Sequence, residues 1–160
     1  MGKTWYIFRH GLAAHGRYQG EEKLTADVLP EGKPAVIEMA EYLAQFEFDY
    51  FVSSPIPRTL TTAEIVSQKI GLDFEVDERI KDIYLESMAE LRARVYEFWQ
   101  ELAASSRQQL LISTHGVIIA ALRHFIIDGN FSDEQAYDFP DVASLLIIED
   151  GQQTFEKTFS

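Results

Sequence analysis

The chain has 160 residues and a formal net charge of −12, from 14 Lys plus Arg against 26 Asp plus Glu. That balance speaks against binding to nucleic acid or to an anionic membrane surface, because both depend on clustered Lys and Arg. The absence of cysteine excludes disulfides, thiolate zinc sites, iron–sulfur clusters and thiol nucleophiles.

The N-terminal residues lead directly into the apolar segment Trp5-Tyr6-Ile7-Phe8, without the pattern of a signal peptide. The apolar run from Val117 to Leu122 stops at Arg123, far short of the roughly 20 residues that a membrane span needs. We therefore expect a cytoplasmic protein without a membrane partner.

Short β-branched and aromatic runs alternate with helical patterns along the chain. The runs at residues 4–8, 50–52 and 110–113 predict strands. Ser87 and Glu90 form a capping-box pattern at the start of one helix. Apolar residues at helical spacing predict helices containing Val36, Met39, Ala40 and Leu43; Leu60, Ala63, Val66 and Ile70; Met88, Leu91, Val95, Phe98 and Leu102; and residues 116 to about 127.

Two further strand-like runs, residues 144–149 and 154–159, flank Asp150-Gly151, a dipeptide suited to a tight hairpin turn. Strands that alternate with helices and end in such a hairpin predict an α/β fold. We expect a three-layer α/β/α sandwich with a mostly parallel central sheet and a C-terminal antiparallel hairpin. Since no repeat, low-complexity tract or linker interrupts the pattern, we expect one domain over residues 1–160.

Three strand ends carry the residues with the greatest chemical interest. Arg9-His10-Gly11 follows the first strand, Ser53-Ser54-Pro55 with Arg58 follows the second, and Thr114-His115-Gly116 follows a later one. Open parallel sheets bind ligands at the carboxyl ends of their strands. A helix N-terminus attracts anions, and an arginine on its first turn adds a forked donor. The pattern predicts an anion site with two arginines and two histidines.

These segments, in their order and approximate separation, resemble the histidine phosphatase superfamily, also called the phosphoglycerate-mutase-like family. The family's shorter motifs are matched by Arg17-Tyr18-Gln19-Gly20, Leu24-Thr25, Glu86-Ser87 and Arg94-Val95. The short length is similar to that of the small bacterial phosphatases of this family.

The resemblance implies a metal-independent phosphoric monoester hydrolase with no cofactor. His10 would attack phosphorus and form a phosphohistidine intermediate, which splits one displacement into two. Fixed cationic donors would hold the phosphoryl group while its charge shifts. The implied phosphate-binding residues are Arg9, Gly11, Arg58, His115 and Arg17.

The family's proton donor is usually a Glu shortly after an Asp-x-Arg-Leu run. The matching stretch here is Asp77-Glu78-Arg79-Ile80-Lys81-Asp82, which assigns the role of acid and then base to Asp82. Asp is one methylene shorter than Glu, and the family's following Gly-x-Trp-Glu-Gly loop is absent. Glu78 and Glu86 are the alternative donors.

A second departure follows the first motif, where the family often has Glu-Thr and then an Asn that helps to hold phosphate. This chain has Leu12-Ala13-Ala14-His15-Gly16-Arg17 instead. Arg17 or His15 would replace the missing donor.

Several alternatives stay open at the level of sequence. A catalytically weak or inactive module could bind phosphate or a phosphoprotein with the same pocket, and a phosphoglycerate-mutase-type phosphotransferase is a less favoured reading. His10, His115 and Asp82 could also form a two-histidine, one-carboxylate metal site, although two nearby arginines would repel a cation. The expected partner is a small phosphorylated metabolite or a phosphoprotein, and the sequence does not indicate an oligomeric state.

Overall fold

The computed structural model describes residues 2–14 and 24–160. The described residues form six strands: β1 (Thr4–Arg9), β2 (Tyr50–Ser53), β3 (Glu75–Val76), β4 (Gln109–Thr114), β5 (Ser144–Glu149) and β6 (Gln152–Thr158). They also form four α-helices: α1 (Lys33–Leu43), α2 (Pro57–Ile70), α3 (Met88–Ala104) and α4 (Gly116–Asp128). Short 3₁₀ turns lie at Pro30–Gly32, Glu78–Ile80 and Asp133–Gln135.

The strands form one mixed sheet in the order β3-β2-β4-β1-β5-β6. Strands β1 to β4 pair in parallel, whereas β5 is antiparallel to both β1 and β6. The predicted hairpin is confirmed, and its turn residues Asp150 and Gly151 have φ values of +50° and +78°. Strand β3 was not predicted, because its two residues are exposed and carry no apolar pattern.

Each face of the sheet has its own apolar core. Leu91, Val95 and Phe98 of α3 pack with α4 on one face. Met39, Ala40 and Leu43 of α1 pack with Ala63 and Val66 of α2 on the other. The predicted three-layer α/β/α arrangement is therefore confirmed.

Two helices show what the local sequence patterns predict correctly and what they miss. At α3 the predicted capping box is present, with Ser87 Oγ accepting from the Glu90 N–H and Glu90 accepting from the Ser87 N–H. At α2 the buried face includes the polar residues Arg58, Thr59 and Thr62, whereas Leu60 and Ile70 of the predicted stripe are only half-buried. The first turns of α2 thus direct polar groups inward, beside the carboxyl ends of β2 and β4.

Among residues 2–14 and 24–160, none of the helices is long and apolar enough to cross a membrane.

Candidate active site

The carboxyl ends of β1, β2 and β4 bring the predicted residues together, because these three strands are parallel and β4 lies between the other two. His10 directly follows β1, Ser54 follows β2 and His115 follows β4. The imidazole rings of His10 and His115 have centroids 5.6 Å apart and are tilted by 60°. The sheet topology therefore places the two histidines side by side.

His10 is 1% exposed, and its Nδ1 lies 2.8 Å from the carbonyl oxygen of Gly11. A carbonyl oxygen can only accept a hydrogen bond, so Nδ1 carries the proton in the neutral ring. In that tautomer Nε2 is unprotonated and bears the lone pair that a nucleophile needs.

The surroundings of His10 also favour its neutral form. Burial lowers the pKa of the imidazole well below its ordinary value of 6.5, and neighbouring His115 lowers it further. The charges of Arg58 and Arg9 act in the same direction, whereas the bond to the Gly11 carbonyl raises the pKa. His10 is therefore uncharged at neutral pH.

Gly11 contributes through its backbone. Its N–H donates to Thr62 Oγ1 at 3.1 Å while its carbonyl accepts from His10. A Cβ at this position would lie 2.6 Å from Cγ2 of Val36, so no larger residue fits without a shift. Gly11 thus fixes the ring of His10, and its predicted contact with phosphate stays a prediction.

His115 is 1% exposed, and its Nε2 lies 2.8 Å from Oγ of Ser54. This bond joins the end of β4 to the end of β2 and sets the plane of the second imidazole. The sequence prediction did not assign Ser54 a role toward His115. In the sequence, Ser54 is marked by its position at a strand end beside a proline. Its partner His115 could not be predicted, because the contact depends on the order of the strands in the sheet.

Arg58 lies in the first turn of α2 and is 1% exposed. Its Nη2 donates to Asp82 Oδ2 at 2.7 Å. Burial lowers the pKa of the guanidinium and Asp82 opposes that effect, and the group stays a cation because the ordinary pKa of an arginine is so high. A buried arginine at a helix start is a strong donor for phosphate oxygens.

The carboxyl group of Asp82 reaches the same cluster. Its Oδ2 lies 3.9 Å from Nδ1 of His115 as well as 2.7 Å from Arg58, and its side chain is 25% exposed. Its Oδ1 accepts from the N–H of Ile83 at 2.9 Å. One carboxylate oxygen therefore faces two residues that the resemblance assigns to phosphate.

The two alternative proton donors are placed elsewhere. Glu86 is ion-paired with Arg94, which also donates to the carbonyl oxygens of Arg79 and Asp82 and so holds this segment in place. Glu78 has a side chain that is 72% exposed and lies 3.6 Å from Lys81. The geometry favours Asp82 over both.

The side chain of Arg9 is held by residues from the C-terminal half of the chain. Its Nη1 donates to the carbonyl oxygen of Pro140 at 2.9 Å, and its Cζ lies 4.9 Å from the centroid of the Phe139 ring. Its buried Nε has no hydrogen-bond partner within the described part of the chain. Burial lowers the pKa of Arg9, whereas the carboxylates of Asp82 and Asp141 raise it. A bound anion would satisfy the donor at Nε.

Arg17 and His15 lie outside the described residues, so their role beside the phosphate stays a prediction.

Over residues 2–14 and 24–160, no three His, Asp or Glu side chains are grouped closely enough to hold a metal ion. The alternative metal site of His10, His115 and Asp82 therefore has no support in this geometry.

Comparison with known proteins agrees with this arrangement. The sequence profile of the Histidine phosphatase superfamily (branch 1) matches residues 5–85 and 83–158. The "Putative phosphoserine phosphatase 2" of Hydrogenobacter thermophilus is 27% identical over 157 aligned positions, covering 75% of this chain and 76% of that protein. The "Probable phosphoglycerate mutase GpmB" of Salmonella choleraesuis is 28% identical over 68% of this chain, which spans about half of its length (50%).

A similar fold is found in the mycobacterial glucosyl-3-phosphoglycerate phosphatase Rv2419c, with a TM-score of 0.80 at 19% identity. The superposition covers 98% of this chain and 97% of that one. The profile match extends over nearly all of the chain, including the three strand ends with His10, Arg58 and His115. The chain belongs to branch 1 of the histidine phosphatase superfamily.

Proposed function

We propose that this protein is a metal-independent phosphatase that hydrolyses a phosphomonoester through a phosphohistidine on His10. The observation that carries the proposal is the state of His10: a buried, neutral imidazole whose Nδ1–H is held by the Gly11 carbonyl. Nε2 is then the nucleophile, the ring of His115 lies beside that of His10, and the charge of Arg58 is close enough to lower the pKa of His10. Small phosphorylated metabolites are the favoured substrates, in keeping with the name of the mycobacterial relative.

In the first step Nε2 of His10 attacks phosphorus and the bond between phosphorus and the leaving oxygen breaks. Arg9, Arg58 and His115 stabilise the charge on the non-bridging oxygens. The leaving oxygen takes a proton from the carboxyl group of Asp82.

In the second step Asp82, now a carboxylate, accepts a proton from water as the water attacks the phosphohistidine. The bond between phosphorus and Nε2 breaks, and inorganic phosphate leaves with His10 again neutral. No external oxidant, metal or second substrate enters this balance. Water is the acceptor of the phosphoryl group in this proposal, so the reaction is a hydrolysis and not a transfer to a second substrate.

The proposal is tested by p-nitrophenyl phosphate hydrolysis in excess chelator, with wild type and His10→Ala compared in the same buffer. We expect a rapid release of one p-nitrophenol per enzyme, followed by slower turnover. His10→Ala should lose at least about 10³-fold in rate, because the nucleophile itself is removed. It should still bind inorganic vanadate through the remaining cations.

Three outcomes would change the assignment. Vanadate binding without any turnover in wild type would favour a phosphate-binding module of the same fold. Activity that chelator abolishes would contradict the metal-independent route. Transfer of the phosphoryl group to phosphoglycerate at the expense of release into water would favour a mutase.

A further inference from the structure

The connection between α4 and β5 crosses the candidate site, and its residues 138–143 are called the strap here. Phe139 and Pro140 of the strap both contact Arg9, one through its ring and the other through its carbonyl oxygen. Pro140 is buried and Phe139 is half-buried. The side chain of Arg9 is therefore held by residues 130 and 131 positions away in sequence rather than by its own strand.

The Phe139 ring also meets the element that carries the second histidine. A Cβ placed on Gly116 would lie 2.6 Å from Cδ1 of Phe139, so the ring fills the space beside the glycine. Gly116 is the first residue of α4 and directly follows His115. One side chain thus lies between the arginine that ends β1 and the start of the helix that follows β4.

Both ends of the strap are tied to the fold. At one end the N–H of Ala143 donates to the carbonyl oxygen of His10 at 2.8 Å. At the other end Asp138 accepts from Arg123 at 2.9 Å and lies 2.6 Å from Nε2 of His124. The position of the Phe139 ring is therefore set by contacts that involve no substrate.

We infer that Phe139 is a positioning residue, which holds the guanidinium of Arg9 in the plane that receives the phosphoryl group. The face of the Phe139 ring attracts the guanidinium of Arg9. The Pro140 carbonyl oxygen accepts from Nη1 of Arg9, which leaves the other N–H groups of the guanidinium for a ligand. The inference rests on the proposed role of Arg9 in phosphate binding. It goes beyond that role, because Phe139 touches neither the nucleophile nor the proton donor through any contact described above.

The decisive variant is Phe139→Leu, which keeps an apolar side chain but removes the ring face. We expect the Kd for inorganic phosphate and the KM for p-nitrophenyl phosphate to rise together by about 3- to 10-fold. The kcat should change less than the KM, because Arg9 itself is retained and Arg58 and His115 still stabilise the charge that shifts during the reaction. Phe139→Tyr retains the ring face and should restore both constants.

Phe131→Leu is the matched control, because Phe131 is a buried phenylalanine of the same connection that stacks on Arg92 instead. It should lower thermal stability without raising the Kd for phosphate. A second test combines Phe139→Leu with Arg9→Ala. In that background the loss of the ring should add nothing to the Kd for phosphate.

Unchanged phosphate binding by Phe139→Leu, or an equal loss in Phe131→Leu, would overturn the inference. If Phe139→Leu does not fold, Phe139→Met supplies a second side chain without a ring, and the same comparison applies. Phosphate binding is measured by calorimetry and needs no turnover. A failure of the proposed phosphatase activity is therefore distinguishable from a failure of the positioning role.

Discussion

His10, Arg58 and His115 are each 1% exposed, whereas the carboxyl side chain of Asp82 is 25% exposed and Leu85, three residues later, is 86% exposed. The first three residues form what we call the base of the site. Residues 80–87 and 137–143 form its rim. Both regions belong to the same cluster of charges, yet one is enclosed by the sheet and the other borders solvent.

The two regions are also held by different interactions. In the base, Ser54 fixes His115 and the Gly11 carbonyl fixes His10, within strand ends that pack on the core. In the rim, the contacts run mostly through ion pairs such as Arg58 with Asp82 and Arg94 with Glu86. Under the proposed function, the base would bind the phosphoryl group that all substrates share, and the rim would contact the part that differs between substrates.

The largest effect should come from a residue of the base, and Arg58→Ala tests it. We expect kcat/KM to fall by about 10²- to 10³-fold, because a fixed cation that stabilises the transferring phosphoryl group is lost. The loss should appear with both aryl and alkyl phosphates, and it should be larger for alkyl phosphates because Arg58 also holds Asp82, the proposed proton donor. Steady-state kinetics with both substrates give the measurement.

Arg107→Ala is the matched control for this change. Arg107 is exposed and lies over the ring of Tyr50, at the amino end of β2, opposite the site. It should leave kcat/KM within about twofold of wild type. A loss in Arg58→Ala that is confined to alkyl phosphates would contradict the division between base and rim.

The second prediction concerns the rim. Asp82→Asn should slow hydrolysis of an alkyl phosphate by about 10²-fold, because an alkoxide needs a proton as it leaves. It should slow p-nitrophenyl phosphate much less, since p-nitrophenolate is a good leaving group. The ratio of the two rates therefore reports the proton donor.

Glu78→Gln and Glu86→Gln serve as controls for Asp82→Asn. Glu78 is exposed beside Lys81, so its substitution should leave the ratio unchanged. Glu86 is paired with Arg94, so its substitution should lower the thermal stability and leave the ratio of the two rates nearly unchanged. A leaving-group effect in either variant, with none in Asp82→Asn, would move the role of acid away from Asp82.

The third prediction concerns a neutral hydrogen bond at the base, between Ser54 and His115. Ser54→Ala removes the hydroxyl that holds His115 Nε2 and should lower kcat/KM by about 5- to 10-fold. Ser53→Ala is the control, because this neighbouring serine is equally buried but bonds the Ser54 carbonyl oxygen. Equal activity of the two variants would separate Ser54 from the site.

Much of the fold was predictable, because its elements follow local patterns. Asp150-Gly151 takes the positive φ values of its turn, and Ser87 with Glu90 forms the capping box. The order of strands within the sheet was not predictable from these patterns. It depends on pairing between segments such as β1 and β4, which are 105 residues apart at Thr4 and Gln109.

The site divides in the same way. His10, Arg58 and His115 were predicted because each follows a strand and carries a motif of the family. The contacts of Ser54 with His115 and of Phe139 with Arg9 were not predicted, because they join segments separated by 61 and 130 residues. Phe139 and Pro140 are apolar residues, and apolar character alone does not identify an arginine as the partner.

The smallest expected effect is that of acidic pH on the base. Since the pKa of His10 lies well below 6.5, the imidazole stays neutral as the pH falls from 7. The single-turnover rate of p-nitrophenol release should therefore fall less between about pH 7 and about pH 5.5 than it would with an ordinary histidine. A histidine with an ordinary pKa would lose about eightfold over that interval, because its protonated form is no nucleophile. Measuring the rate in Asp82→Asn removes any contribution of that carboxyl group, so an eightfold decline there would show that burial does not keep His10 neutral.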